Sequence, residues 1–318
     1  MNQRIKASDI FAKYGIVFVL LALIIVFSIM SPIFLRVENL LNILTQVSVV
    51  GIVAVGMTMV LITGGIDLSV GSIIGVACVL IAELLLNGVN TILAVVITLI
   101  VGTLLGTLNG FFINEVQIPP LIATLGMMTS LRGVAYLITG GMPVFGFSSD
   151  ITVLGQSGLY GWIPVPVVIM SIVFILGYLF MEKTKHGRYI YGVGGNEEAT
   201  RLSGINVKKI KYIVYSISGL LCALAGIVLL ARINSGQPKA GSGYEMDVIT
   251  AVVLGGVSIS GGEGRIGFVV IGVLFMGILT NGMILLNVQE YVQWVIKGMA
   301  LLLAVGFDRY VQTRKQDN

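Results

Sequence analysis

Side chains able to do covalent chemistry are few and widely spaced in this sequence. His186 is the only histidine, and Cys78 and Cys222 are the only cysteines. That set is too small and too scattered for a zinc or haem site or for a disulfide framework, so no metal and no catalytic residues are expected. No nucleophile stands beside a base that could activate it. No Gly-x-x-x-x-Gly-Lys-Ser/Thr phosphate loop occurs either: Gly261-Gly262-Glu263-Gly264-Arg265 is glycine-rich but lacks the lysine. What remains is a handful of polar groups set in apolar surroundings, where each ionisable side chain is costly enough to be a functional candidate.

Asp67 follows Gly64-Gly65. Either a broken helix presents its carboxylate to a pathway, or the carboxylate caps the next helix through the N–H groups of Ser69 and Val70. Arg132 and Lys297 are expected to pair with Asp67, Glu83 or Glu290, or to snorkel to an interface. Asn109, Thr129, Thr280 and Asn281 are uncharged hydrogen-bonding groups inside apolar runs. They suit a neutral polyol passing without tight binding, or they hold helix to helix. Glu245 and Asp247 open an apolar segment near Arg232 and Lys239. There they either meet a soluble binding protein through exposed charge pairs or complement a helix N-terminus.

These groups are carried by a very apolar polypeptide. Of 318 residues, 56% are hydrophobic and only 11% charged, against about 25% charged in soluble domains. A water-soluble protein is excluded, and a net charge of +4 gives nucleic-acid binding no support. Crossing about 30 Å of hydrocarbon takes roughly 20 apolar residues in a helix. That ruler gives about ten segments, near 15–31, 42–62, 69–86, 91–113, 120–140, 164–181, 212–231, 245–257, 266–286 and 291–307. The eighth is short enough for a half-helix or re-entrant element, and the second and third read as a pair broken at Thr63-Gly64-Gly65. The first is read as a retained span rather than a secretory signal, since Ser28-Ile29-Met30 is a poor cleavage box.

With the N-terminus in the cytoplasm, alternation leaves only Arg36, Arg232 and Lys239 outside, while most other Lys and Arg fall inside. This positive-inside asymmetry predicts an even number of crossings with both termini cytoplasmic. Trp162 falls at the outer edge of the sixth span, as an interfacial aromatic should. The external segment 140–163 reads as a partly buried hairpin facing a soluble partner or as a connector. The internal segment 182–211 is the one long charged stretch. Within it Asn196 is a candidate N-cap, Glu197 and Glu198 suit the positive end of a helix dipole, and Gly204 suits its C′ end. Ala199, Leu202 and Ile205 are then expected along one side. Such a helix is too short to stand alone, so it packs on the membrane domain or in a partner's groove. A repeat is also suggested, because Thr63-Gly64-Gly65-Ile66-Asp67-Leu68-Ser69 matches Leu254-Gly255-Gly256-Val257-Ser258-Ile259-Ser260 in part. It would relate two halves, about 15–140 and 164–307, and place both glycine-rich turns near a central pathway.

Glu198-Ala199-Thr200-Arg201-Leu202-Ser203-Gly204 resembles the Glu-Ala-Ala-x-x-x-Gly signature of binding-protein-dependent ATP-binding-cassette importer permeases, with Thr200 in place of the second Ala. Gly56-Met57-Thr58, the run from Ile62 to Ser72, the segment from Gly192 to Ala199, and Leu254-Gly255-Gly256-Val257-Ser258 are similar to permeases of the ribose, xylose and galactose import class. The resemblance runs from about Leu40 to Gly306. It implies an all-α, polytopic, single permease domain over 1–318 in a bacterial inner membrane, with Asn196, Glu197, Glu198, Ala199, Arg201, Leu202 and Gly204 as the coupling helix. It also implies the partners: a second permease copy, identical or not, an extracytoplasmic sugar-binding protein, and cytoplasmic ATPase subunits that bind the ATP and Mg. The pathway would then run past Gly64, Gly65, Asp67, Asn109, Thr129, Gly255, Gly256 and Asn281. The competing expectations are an ion-coupled secondary transporter of a small solute and a passive facilitator.

Overall fold

The computed structural model describes residues 7–147, 149–159 and 163–316; Arg4, Lys6 and Trp162 lie outside the described residues. In sequence order the helices are α1 (Ala7–Met30), α2 (Val37–Ile62), α3 (Val70–Leu86), α4 (Thr91–Asn114), α5 (Pro120–Thr139) and α6 (Val153–Gln156). A two-stranded hairpin follows, β1 (Gly158–Leu159) against β2 (Ile163–Pro164). Then come α7 (Val165–Lys183), α8 (Lys185–Gly195), α9 (Glu197–Leu202), α10 (Val207–Ile233), α11 (Tyr244–Leu254), α12 (Ile266–Leu285) and α13 (Glu290–Gln316). Boundaries follow local chemistry. Pro120 opens α5 and left-handed Gly140 closes it, while the Asn90 and Asn206 side chains accept backbone N–H groups at the starts of α4 and α10.

The protein is an all-α, multi-pass bundle. Six described helices, α2, α4, α5, α7, α10 and α12, are long and apolar enough to cross a membrane, with α3 and the Gly15–Met30 part of α1 shorter. All ten expected segments fall on helices, and α11, with 11 residues, reaches only about half of a 30 Å core at 1.5 Å per residue. The centre is α2 and α10, whose apolar windows are 78% and 72% buried, against 22% for α4. Yet α4 lies against α10 with backbone touching backbone. A Cβ on Gly106 would overlap the Tyr215 carbonyl oxygen, and one on Gly219 would come within 2.8 Å of Gly106 Cα. Small residues one turn apart permit that approach.

Two stretches of non-helical backbone enter the bundle. Residues 63–69 turn back from the end of α2 to start α3 inside the protein, where Asp67 and Ser69 are fully buried. Residues 234–243 run antiparallel beside α3: Gly236 packs on Ala82, the Pro238 and Ala240 carbonyls on Gly75, and Gly241 on Gly71. That path covers about 16 Å of α3 and delivers the start of α11 to the middle of the bundle. Irregular backbone at such depth is tolerated because protein, not lipid, surrounds it. Val144 and Gly236 form an antiparallel bridge, so the 140–163 segment is anchored over this entry point with Ile151 fully buried.

Candidate functional site

Three places gather most of the polar groups singled out above. The first is the end of the bundle that carries segment 182–211. There α9 is built as its residues dictate: Asn196 Oδ1 accepts the Ala199 N–H at 2.8 Å, and the helix closes on left-handed Gly204, whose N–H reaches the Arg201 carbonyl at 3.0 Å. Glu197 pairs with Lys211 at 2.8 Å and Glu198 with Arg201 at 2.7 Å. The helix turns one residue inward. Thr200 is the buried residue, beside Gly192, whereas Ala199 and Leu202 are exposed, Leu202 at 79%. A helix this short is held by its caps, by Thr200 against α8 and by the Glu197–Lys211 pair to α10, and its leucine faces outward.

Behind α9 three glycine-rich strands of backbone converge. The Gly262 N–H donates to the Ile62 carbonyl at 2.9 Å. Gly194, near the end of α8, sits so close to both that a Cβ would overlap the Ile62 oxygen and come within 2.5 Å of Gly262 N. Tyr191 on α8 donates its hydroxyl to the Gly264 carbonyl at 2.9 Å. Gly64 and Gly256 are both left-handed, at φ 78° and 81°, and each closes its helix with the same pair of hydrogen bonds: Gly64 to Leu61 and Gly65 to Val60, Gly256 to Val253 and Val257 to Val252. Beyond them Ser69 N–H binds the Asp67 side chain, and Ser260 N–H binds that of Ser258. The second loop is one residue shorter between its left-handed glycine and that turn.

Asp67 forms the second place. Its Oδ1 accepts from Ser69 N at 3.0 Å and Ser69 Oγ at 2.6 Å, and its Oδ2 accepts from Ser218 Oγ of α10 at 3.0 Å. Asn109 of α4 donates to Ser69 Oγ at 2.8 Å. Of the two backbone donors expected for a cap, Asp67 takes the Ser69 N–H and not that of Val70, and α3 has no side-chain cap at Ser69. The cluster ties α3, α4 and α10 together in a sealed knot.

The third place is a cavity of about 920 Å³ at the opposite end from α9. Gln46 and Val50 of α2, Arg132 and Tyr136 of α5, residues 242–247, and Thr280 of α12 form its walls, closed by Gln293, Trp294 and Lys297 of α13. Two ion pairs cross it: Lys297 to Asp247 at 2.7 Å and Arg132 to Glu245 at 3.8 Å. Both acids lie in the first turn of α11, where the helix dipole favours negative charge.

A family described as the branched-chain amino acid transport system / permease component matches residues 39–305. The protein belongs to that permease family. Among curated relatives, the permease is 48% identical to the ribose import permease protein RbsC of Escherichia coli over 296 residues, 92% of each sequence. It is 44% identical to that of Bacillus subtilis over 310 residues, 97% of this sequence and 96% of the relative. Identity to the L-arabinose transport system permease protein AraH of Escherichia coli is 40% over 317 residues, 96% and 93% of the two sequences. No solved structure matches. The import class read from the glycine-rich runs and from Glu198 to Gly204 is thus the class of these relatives.

The permease fold redistributes the residues named from sequence. Asp67 and Asn109 meet in the knot, and Gly64, Gly65, Gly255 and Gly256 sit in the two loop turns, Gly255 against Val269. Asn281 is joined to Asn39 of α2 by reciprocal amide bonds of 2.9 and 3.0 Å, so it holds α12 to α2. Thr129 is exposed on α5, its hydroxyl bonded to the Gly126 carbonyl at 2.9 Å. Of the two arrangements expected for Glu245 and Asp247, the complement to a helix N-terminus is present, since both lie in the first turn of α11. Their ion pairs go to Arg132 and Lys297 rather than to Arg232 or Lys239, because segment 234–243 carries them inward. Arg132 and Lys297 in turn take neither Asp67, Glu83 nor Glu290 as their ion-pair partner. Trp294 and Gln293 escape a reading by sequence alone; the signal that could find them is the polar stripe Glu290, Gln293, Trp294 and Lys297, which keeps one face of α13.

Proposed function

We propose that this permease is the membrane-spanning subunit of an ATP-driven importer that moves a monosaccharide, ribose or a related pentose or hexose, into a bacterial cell. The observation that carries it is α9: a rigidly capped six-residue helix that shows Leu202 and two ion-paired glutamates to a partner, mounted on the junction where the α2 and α11 turns meet. A groove on an ATPase subunit, which would hold the ATP and Mg, is the fitting receptor for such a helix. The high identity to ribose and arabinose permeases over nearly the whole sequence supports the sugar. In this reading the permease crosses the inner membrane ten times with both termini cytoplasmic, α9 faces the cytoplasm, and the 920 Å³ cavity opens outward to a sugar-binding protein. A second copy completes the pathway, and the paired turns at Gly64 and Gly256 mark two related halves that rock between outward- and inward-facing states. An ion-coupled carrier fits less well, since the Asp67 carboxylate is fully enclosed and already accepts three short hydrogen bonds.

The test is reconstitution with candidate ATPase and binding-protein subunits in lipid vesicles. Sugar-stimulated ATP hydrolysis and uptake are expected for the wild type. Glu198→Ala and Gly204→Val should insert normally yet lose both uptake and co-purification with the ATPase. Full uptake with either replaced refutes α9 as the docking helix, and uptake driven by an ion gradient without the ATPase refutes the importer.

A further inference from the structure

The polar groups of the cavity are unusual in being balanced. Arg132, Lys239 and Lys297 face Glu245, Asp247 and Glu290, so a ligand carrying net charge meets as much repulsion as attraction. Yet the walls are rich in unused hydrogen-bonding capacity. An ammonium has three donors and a guanidinium five, and Arg132 and Lys297 each share their charge with a single carboxylate. Trp294 is 61% exposed and lines the chamber, offering an indole surface that suits the C–H face of a sugar ring. The volume lies within the range of about 300–1,000 Å³ for small-molecule sites.

We propose that this cavity is the transit site for a neutral monosaccharide, received between the Asp247–Lys297 and Glu245–Arg132 pairs and the Trp294 ring. The inference rests on the importer reading and narrows it: the chamber selects neutral, hydroxyl-rich solutes over anions and zwitterions, and it assigns the pathway to α11 and α13 rather than to the Asp67 knot.

The test uses the whole importer in vesicles. Both native cysteines are buried, so Thr280→Cys supplies a thiol in the chamber for methyl methanethiosulfonate. D-ribose is expected to slow its labelling severalfold, with valine and gluconate having no effect. Trp294→Ala should lower ribose uptake about tenfold while ATP hydrolysis stimulated by loaded binding protein persists, and Trp294→Phe should restore most of the uptake, since a ring face is retained. Wild-type vesicles that import no sugar overturn the importer and this site together. Normal wild-type import, with unprotected Thr280→Cys and full uptake by Trp294→Ala, overturns the site alone. Protection by valine or gluconate instead of ribose overturns its assignment to neutral sugars.

Discussion

Gly194 and Gly195 are chemically identical neighbours at the end of α8, and the structure predicts opposite responses to the same methyl group. At Gly194 a Cβ would overlap the Ile62 carbonyl oxygen and approach Gly262 N to 2.5 Å. Ordinary contact is about 3.5 Å, so the loops must part by at least about 1 Å. Overpacking of that kind costs about 1–3 kcal/mol. Parting also breaks the Gly262 to Ile62 hydrogen bond, leaving buried groups unpaired at about 1–3 kcal/mol. Against this stands a helix-propensity gain of up to about 1 kcal/mol. Gly194→Ala is therefore expected to destabilise by about 1–5 kcal/mol. At Gly195 nothing lies within 4 Å of the added atom, so only the propensity gain operates, and Gly195→Ala should be neutral or stabilising by about 0.5–1 kcal/mol. The assay is the temperature at which purified protein in detergent loses its monodisperse elution profile, read beside wild type. Gly194→Ala should fall clearly below and Gly195→Ala should not. Equal behaviour of the two variants, in either direction, refutes the close three-way packing of these loops.

Asn39→Ala should destabilise by about 1–3 kcal/mol, because it strands the buried Asn281 amide, whereas the Asn39→Leu, Asn281→Leu double variant should recover much of that loss; a double-mutant cycle in thermal unfolding checks it. Asp67→Ala removes the acceptor shared by Ser69 and Ser218 and should lower folded yield severely, with Asp67→Asn milder; yield after size-exclusion chromatography decides. Burial first, and then the Glu182 carboxylate, push the Tyr191 phenol up to about 12. The phenol is held protonated in the folded state, so its stabilising effect is complete below pH 10, its ordinary value, and is lost as pH rises through about 12. Absorbance of phenolate near the alkaline limit should show one fewer late-titrating tyrosine in Tyr191→Phe than in the wild type.

Local chemistry was legible and partnership was not. Asn196 and Gly204 announce their caps because each acts on backbone within a few residues. The short eighth segment and the break at Thr63-Gly64-Gly65 follow from counting apolar residues. Hydropathy could not say which helices are central, since α2 and α4 have mean hydropathies of 2.1 and 2.4 yet are 78% and 22% buried. In lipid, both faces of a helix are apolar whether they meet a neighbour or an acyl tail, so only the glycine spacing on α4 hints at its seam. The ion pairs are invisible for another reason. Lys297 and Asp247, like Arg132 and Glu245, lie far apart in sequence and are brought together by a segment, 234–243, that reads as an ordinary external loop.

That segment also has a consequence for biosynthesis. Eleven residues are too few for α11 to be recognised on its own as a membrane span, and the turn-rich, non-helical backbone before it carries peptide groups that lipid cannot satisfy. Its lining is the glycine face of α3, with α10 behind it. Residues 234–254 therefore enter the bilayer after those helices have assembled, which makes this stretch a late step of insertion. Reporter fusions placed within it should change sides as more of the downstream sequence is included.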